Sequence, residues 1–270
     1  MEPMVNIALR AARSAGEKIV RATERMDKIK IDEKGRNDFV TDIDRASEQE
    51  IINQLLKAYP DHRILGEESG YLGNPNSDYL WIIDPLDGTT NFICGIPHYA
   101  VSIGCLYKGR HEHAVVYDPI KQEEFTASRG RGAYLNGHRM RVTGRTHMNG
   151  AIFATGIPFS KPSSDHMDAY LQCLRTLAEQ SSGIRRLGVA SLDLAYLAAG
   201  RFDAFWEMYL KPWDIAAGVL LIKEAGGILS DFQGGDTYME SGHIVGSTPK
   251  LFKPTLQVVQ KYLGHLDVRS

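Results

Sequence analysis

The chain has 270 residues, 43% of them apolar and 24% charged, with a formal net charge of −2. That length and apolar fraction allow one large core or two intimately packed halves, and exclude a minimal disulfide scaffold or a disordered chain. The missing basic excess argues against a protein that grips nucleic acid chiefly through its phosphates, so there is no direct nucleic-acid signal beyond local basic clusters.

In chain order, Met4, Ile7, Ala8, Ala11, Ala12, Ala15 and Ile19 recur at helical spacing and predict an opening amphipathic helix. A second helix carries Ile51, Ile52, Leu55, Leu56 and Tyr59 on one face and stops before Pro60. Strands are expected over Arg63 to Leu65 and Tyr79 to Ile83, the second ending at Asp84-Pro85, with Gly73 to Asp78 as a loop. From Tyr99 to Val142 the turn signals Lys108-Gly109 and Asn136-Gly137 mark an antiparallel meander, with Gly130 and Gly132 at a bend.

The second half alternates: strand at Ala151 to Thr155, helix at Asp165 to Gln180, strand at Ile184 to Leu187, helix at Ser191 to Ala199, strand at Asp203 to Met208. A helix over Trp213 to Ala225 closes at Gly226-Gly227. Short strands at Ile228 to Asp231 and Ile244 to Gly246 precede a last helix from about Pro249. The pattern suggests helices layered on sheets, in an N-terminal α+β half (1–150) and a C-terminal α/β half (151–270) that act as one unit. Cys94, Cys105 and Cys173 form no CxxC pair or His/Cys cluster, so structural zinc is not expected. Their odd number and wide spacing read as reduced, mostly buried thiols in a cytoplasmic protein. The N-terminal stretch, interrupted by Arg10 and Arg13, is unlike a secretory leader, and no run reaches a membrane span.

The strongest chemical signal is Asp84-Pro85-Leu86-Asp87-Gly88-Thr89-Thr90, two carboxylates three positions apart where an apolar strand stops. Amides of Gly88 and Thr89 would open a helix or tight loop able to hold an anion. A helix cap is the plain alternative, but it leaves the second acid unexplained, because two buried anions repel unless something positive joins them. Glu67-Glu68 at another strand end and Asp214 at the head of an apolar helix recur in similar surroundings, although a solvated loop and a favourable helix-dipole charge would explain each alone. Hard oxygen ligands of this kind suit Mg²⁺. Thr41-Asp42-Ile43-Asp44 fits a capping box, and for Asp44 that reading is preferred to chemistry. There is no G-x-S-x-G elbow, no G-x-x-x-x-G-K-[ST] loop and no H-E-x-x-H helix. His111 and His113 read as surface or cross-strand residues.

Taken together, Asp84 to Phe92, Trp213-Asp214-Ile215-Ala216-Ala217-Gly218 with Glu224-Ala225-Gly226-Gly227, Gly66-Glu67-Glu68-Ser69 and Asp38 to Asp44 resemble the signature segments of the inositol monophosphatase family. The N-terminal helix and the Gly188 to Arg201 stretch look most like its bacterial SuhB-type members. The resemblance implies an α+β fold, a layered αβαβα sandwich, usually a homodimer, and a lithium-sensitive hydrolase that uses two to three Mg²⁺ ions. It implies metal ligation by Glu67, Asp84, the Leu86 carbonyl, Asp87 and Asp214. It also implies that Thr89, paired with Asp44, orients water, with Glu67 in the catalytic set. Substrate contacts would come from Asp87, Gly88, Thr89, Ala190, Glu207 and Asp214, with Arg185 a weaker candidate. Val189 departs from the Ser or Thr that many members carry. The implied reaction is hydrolysis of myo-inositol monophosphate or another small phosphorylated polyol. Relatives that act on fructose bisphosphate or adenosine bisphosphate keep the alternative open. SuhB-type members also imply ribosomal RNA transcription antitermination with RNA polymerase and Nus factors. The arginines at 129, 131, 139, 141 and 145 and the pair Arg185-Arg186 are the local basic features, read first as a solvated face.

Overall fold

The computed structural model describes residues 2–35, 38–158 and 164–267. Helix α1 (Pro3–Ala22) is followed by a 3-10 turn, a ribbon of β1 (Ile31–Gly35) and β2 (Asp38–Thr41), and helix α2 (Asp42–Ala58). Strands β3 (Arg63–Gly66), β4 (Gly70–Gly73) and β5 (Tyr79–Asp87) lead to the short helix α3 (Thr89–Ile93). Next come β6 (Ala100–Tyr107), β7 (Arg110–Asp118), β8 (Glu123–Ser128), β9 (Gly132–Leu135) and β10 (His138–Met140). These eight strands form one sheet in the order β10-β9-β8-β7-β6-β5-β3-β4. Its long arm is the predicted antiparallel meander, while β3 runs parallel to β5.

The second half supplies β11 (Ile152–Thr155), α4 (Ser164–Gln180), β12 (Gly183–Arg185), α5 (Ala190–Ala198) and β13 (Ala204–Glu207). It continues with α6 (Pro212–Glu224), β14 (Ile228–Ser230), α7 (Tyr238–Ser241), β15 (Ile244–Ser247) and α8 (Pro249–Leu263). The second sheet has the order β12-β11-β13-β15-β14.

Layering follows from where each element is apolar. Helix α1 starts at Pro3, whose missing N–H costs nothing in the first turn. Its stripe Ala8, Ala11, Ala12, Ala15 and Ile19 packs with Ile51, Ile52 and Leu55 of α2 over Trp81, Ile83, Val101 and Ile103 of the first sheet. Trp81 is fully buried, with its indole N–H donating to His62 Nδ1 at 3.0 Å. Burying a side chain of that size contributes on the order of 3 kcal/mol. Helices α5 and α6 are apolar and buried over most of their length, as a helix covered on both faces must be. They fill the space between the two sheets, with Leu192, Leu194, Ile215, Val219 and Leu221 at the centre. On the far side Tyr170 and Cys173 of α4, with Leu251 and Val259 of α8, cover Phe153 and Trp206. The stack is helix, sheet, helix, sheet, helix, which is the expected αβαβα sandwich.

Two details differ from the sequence reading. Strand β5 does not stop at Ile83 but runs to Asp87, because Pro85 sits where the ladder with β6 is irregular and no N–H is needed. The β1–β2 ribbon has a polar sequence with no alternation, and it was not expected. Of the two histidines read as surface or cross-strand residues, His113 is buried and bonds Ser128 across the strand pair at 2.9 Å, and the half-buried His111 Nδ1 bonds the Ala216 carbonyl at 3.1 Å. The thiols are free and mostly buried, as the sequence reading expects: Cys105 and Cys173 are buried and Cys94 is exposed.

Several arginines of the basic stretch make contacts within the chain. Arg129 pairs with Glu112, Arg141 donates to the Glu224 carbonyl, and Arg145 pairs with Asp203. Among the described residues no helix is long and apolar enough to cross a membrane.

Candidate metal centre

The apolar run Leu80 to Ile83 carries β5 into the core, and Asp84 follows it at only 2% exposure. The pairing with β6 slips between Asp84 and Asp87, and such a bulge re-aims side chains. Leu86 turns inward while Asp84 and Asp87 face one cavity of about 470 Å³. Glu67 reaches the same cavity from the end of β3, with its amide held by the Ile83 carbonyl at 3.1 Å. Asp214 reaches it from the first turn of α6. Four acids spread over nearly 150 positions of sequence therefore line one wall.

The plainer sequence readings hold at the same time. Asp214 Oδ2 accepts from the Lys211 amide at 2.6 Å, a capping bond at the helix start. Thr41 and Asp44 form the expected capping box, with the Thr41 amide donating to Asp44 Oδ2 at 2.9 Å. The second oxygen of Asp44 accepts from Thr89 Oγ1 at 2.8 Å, so cap and site partner are one residue. Thr89 Oγ1 also lies 3.0 Å from the Leu86 carbonyl, a second acceptor for its single proton.

Charge is the main feature of this wall. Burial, then repulsion from Glu67, Asp87 and Asp214, pushes the Asp84 carboxyl well above its ordinary range. Asp214 is raised in the same direction by burial and by Asp87. Asp87 is raised to about 6 by burial, partly offset by hydrogen bonds from Ser191 and Ala190. The Ser191 amide donates to Asp87 Oδ2 at 2.7 Å. Asp44 is raised by burial against the bonds from Thr41 and Thr89. All of these acids ionise together only if positive charge is supplied among them.

Hard carboxylate oxygens, a carbonyl at Leu86 and room for water form a donor set that fits Mg²⁺, which keeps several waters and takes few protein ligands. Among the described residues no three His, Cys, Asp or Glu side chains already close on a single point. The acids line an open cavity rather than a finished cage, which suits an ion that shares its coordination with substrate.

Gly88 has φ +95°, and a Cβ there would approach Val189 Cγ2 to 2.8 Å. Only glycine fits this position, which opens α3 beside the carboxylates. Val189 is 1% exposed, so its side chain fills the wall beneath Gly88. Ala190 lies beside Asp87 at the start of α5. Glu207 ends β13, with its carboxyl raised to about 8 by burial and by Asp87, and lowered again by Arg186.

Arg185 is not brought to the cavity. It is exposed, and its guanidinium donates to the Ile184 carbonyl at 3.3 Å. Arg186 lines the cavity instead. The sequence marked the pair, but β12 ends at Arg185, so strand alternation stops being a guide there. Two further residues had no assigned role. Asn91 donates to the carbonyls of His98 and Leu187 at 2.9 and 3.0 Å and ties the two sides of the cavity together. Asp193 on α5 is 1% exposed and is raised by burial and by Glu207.

The sequence profile of the inositol monophosphatase family matches residues 1–263. Nus factor SuhB of Pseudomonas aeruginosa PAO1 is 60% identical over 265 residues, covering 97% of this chain and 98% of that protein. The crystal structure of extragenic suppressor protein suhB from Bartonella henselae superposes with a TM-score of 0.92 at 40% identity, over 96% of this chain and 99% of that one. Inositol monophosphatase from Anabaena (Nostoc) sp. PCC 7120 gives 0.81 at 32% identity, over 97% of both chains.

Proposed function

Since the chain belongs to the inositol monophosphatase family, we propose that it is a Mg²⁺-dependent phosphatase of small phosphorylated polyols, with myo-inositol monophosphate as substrate. The observation that carries this reading is the shared cavity of Glu67, Asp84, Asp87 and Asp214, whose buried charges call for divalent cations. The halves 1–150 and 151–270 act as one unit in this reading, because the first three acids come from one and Asp214 from the other.

Glu67, Asp84, the Leu86 carbonyl, Asp87 and Asp214 would hold two to three Mg²⁺ ions. When bound, the ions supply Lewis acidity toward water and the phosphate ester. The chain's own groups do the positioning. Thr89 directs its proton to Asp44 or the Leu86 carbonyl, which leaves its lone pairs facing the cavity to hold the attacking water. Burial raises the proton affinity of Asp44 and makes it a better acceptor in that relay. The amides of Gly88 and Thr89 receive phosphate oxygens. Asp87 is held by the Ser191 amide, and with Glu207, Ala190 and Asp214 it lines the alcohol side. Glu207, lifted to about 8, can donate to a ring hydroxyl as well as accept from one at neutral pH. Arg186 replaces Arg185 as the cation on this side. Val189, being buried, offers substrate only its backbone.

The decisive experiment is phosphate release from a substrate panel, with Mg²⁺ and with EDTA, for the native chain and for Asp84→Asn. Inositol monophosphate should be hydrolysed only with Mg²⁺, and the variant should fold yet lose activity by about 10²-fold or more. A preference for adenosine or fructose bisphosphate would move the substrate within the family. Full activity in Asp84→Asn would end the metal reading.

A second role is favoured by the 60% identity to a protein named Nus factor SuhB. We propose that this chain also joins transcription antitermination complexes with RNA polymerase and Nus factors, as a cytoplasmic homodimer. Asp84→Asn that still supports growth where deletion does not would separate this role from catalysis.

A further inference from the structure

Helix α2 buries two carboxylates one turn apart, Asp44 and Glu48, at 1% and 2% exposure. Residues four apart share a helix face, and each of these two holds a different segment of the site. Asp44 holds Thr89. Glu48 does not line the cavity. Its Oε2 accepts a hydrogen bond of 2.9 Å from the amide of Glu68, the peptide directly after Glu67. The amide of Glu67 itself is held by the Ile83 carbonyl at 3.1 Å. The two amides that flank the Glu67 side chain are therefore anchored, one to β5 and one to α2. Gly66 completes the arrangement. A Cβ there would overlap the Glu48 carboxylate and reach 2.7 Å from Ser69 Oγ. The chain has thus given up a side chain at residue 66 so that the buried carboxylate lies against the Glu67 segment.

We propose that Glu48 is a positioning residue for the metal centre: from outside the cavity it fixes the backbone that presents the Glu67 carboxylate to Mg²⁺. This rests on the reading of the cavity as a Mg²⁺ site. Partners that orient a ligand from behind are typically worth 10- to 100-fold in metal affinity. The competing account is that Glu48 merely adds negative charge near the ion.

Two variants distinguish these accounts. Glu48→Gln keeps the chain length and an acceptor oxygen but removes the charge. Glu48→Asp keeps the charge but withdraws the acceptor by one methylene. Mg²⁺ is titrated calorimetrically into the full chain and each variant, with thermal melting as a check on folding. Positioning expects Glu48→Asp to weaken Mg²⁺ binding about 10-fold or more and Glu48→Gln to stay within about threefold of the native chain. It also expects the kcat of Glu48→Asp to recover at saturating Mg²⁺. The reverse ranking, or equal affinities for all three, overturns the proposal. Should Glu48→Asp not fold, Gly66→Ala presses on the same contact from the other side and must weaken Mg²⁺ binding to a similar degree. A native chain that takes up no Mg²⁺ sinks the metal reading itself, whereas normal native binding with unaffected variants sinks only the role of Glu48.

Discussion

Replacing Glu207 by Gln tests the electrostatics of the cavity through stability rather than activity. The Glu207 carboxyl is lifted from 4.5 to about 8, by burial first and then by Asp87, against the opposing pull of Arg186. Between those values the folded chain keeps a proton that the unfolded chain releases, so stability falls as pH rises. The slope for one group is about 1.4 kcal/mol per pH unit, which sums to about 5 kcal/mol over the interval as an upper bound. Glu207 is itself only half-buried, so solvent screens part of this, and about 2–3 kcal/mol is the expected cost in metal-free protein. Glu207→Gln preserves the shape and removes the ionisation. With EDTA present, the variant should match the native chain below pH 4.5 and exceed it by about 2–3 kcal/mol at pH 8.5. Urea denaturation at pH 4, 6 and 8.5 reads the difference from the midpoint and slope. The KM for inositol monophosphate should rise in the same variant. A stability gain that does not grow with pH would refute the reasoning, because Glu207 would then be ionising without cost.

Two other changes probe separate parts of the molecule. Thr89→Val removes the hydroxyl between Asp44 and the Leu86 carbonyl; kcat should fall by about 10²- to 10⁴-fold with Mg²⁺ affinity unchanged by calorimetry. Asp231 accepts from the amides of Gln233, Gly235 and Thr237 and from the Thr237 hydroxyl. Asp231→Ala strands those donors and should cost about 2–4 kcal/mol in urea denaturation. Those hydrogen bonds also lower the Asp231 carboxyl below its ordinary 3.8 despite burial, so its contribution is complete above that pH and fades as acid takes the solution through the lowered value. The native chain should therefore lose its advantage over the variant on acidification below about pH 4.

The acids of the cavity were legible only together: each alone has a plain explanation as a cap, a solvated loop or a helix-dipole charge, and it is their recurrence at strand ends and a helix start in apolar surroundings that pointed to a shared site. Helix α6 and the meander were legible for local reasons, through continuous apolar residues and Asn-Gly or Lys-Gly turns. What was hidden depended on partners far away in sequence. Asp44 satisfies its own helix cap locally, and only Thr89, 45 positions on, reveals its second bond. Glu48 drew no reading from the sequence, and only the Glu68 amide, 20 positions on, reveals its bond. Arg185 and Arg186 are neighbours, and the choice between them turns on where β12 stops. The extension of β5 through Pro85 was missed because a proline usually ends a strand, and the irregular pairing that tolerates it is set by β6. The β1–β2 ribbon had no hydrophobic face to announce it.

Helix α6 has no wet side: Ile215 through Ile222 are buried without a break, and Asp214 sits at their head. The acid contributed by the second half is therefore mounted on a beam clamped by both sheets. On the proposed reading, such a mounting favours product leaving past rim segments such as those around Phe39 and Gly188. It also means that Asp214 stays in register until the whole sandwich melts, and catalysis should persist nearly unchanged up to the temperature at which the fold itself gives way.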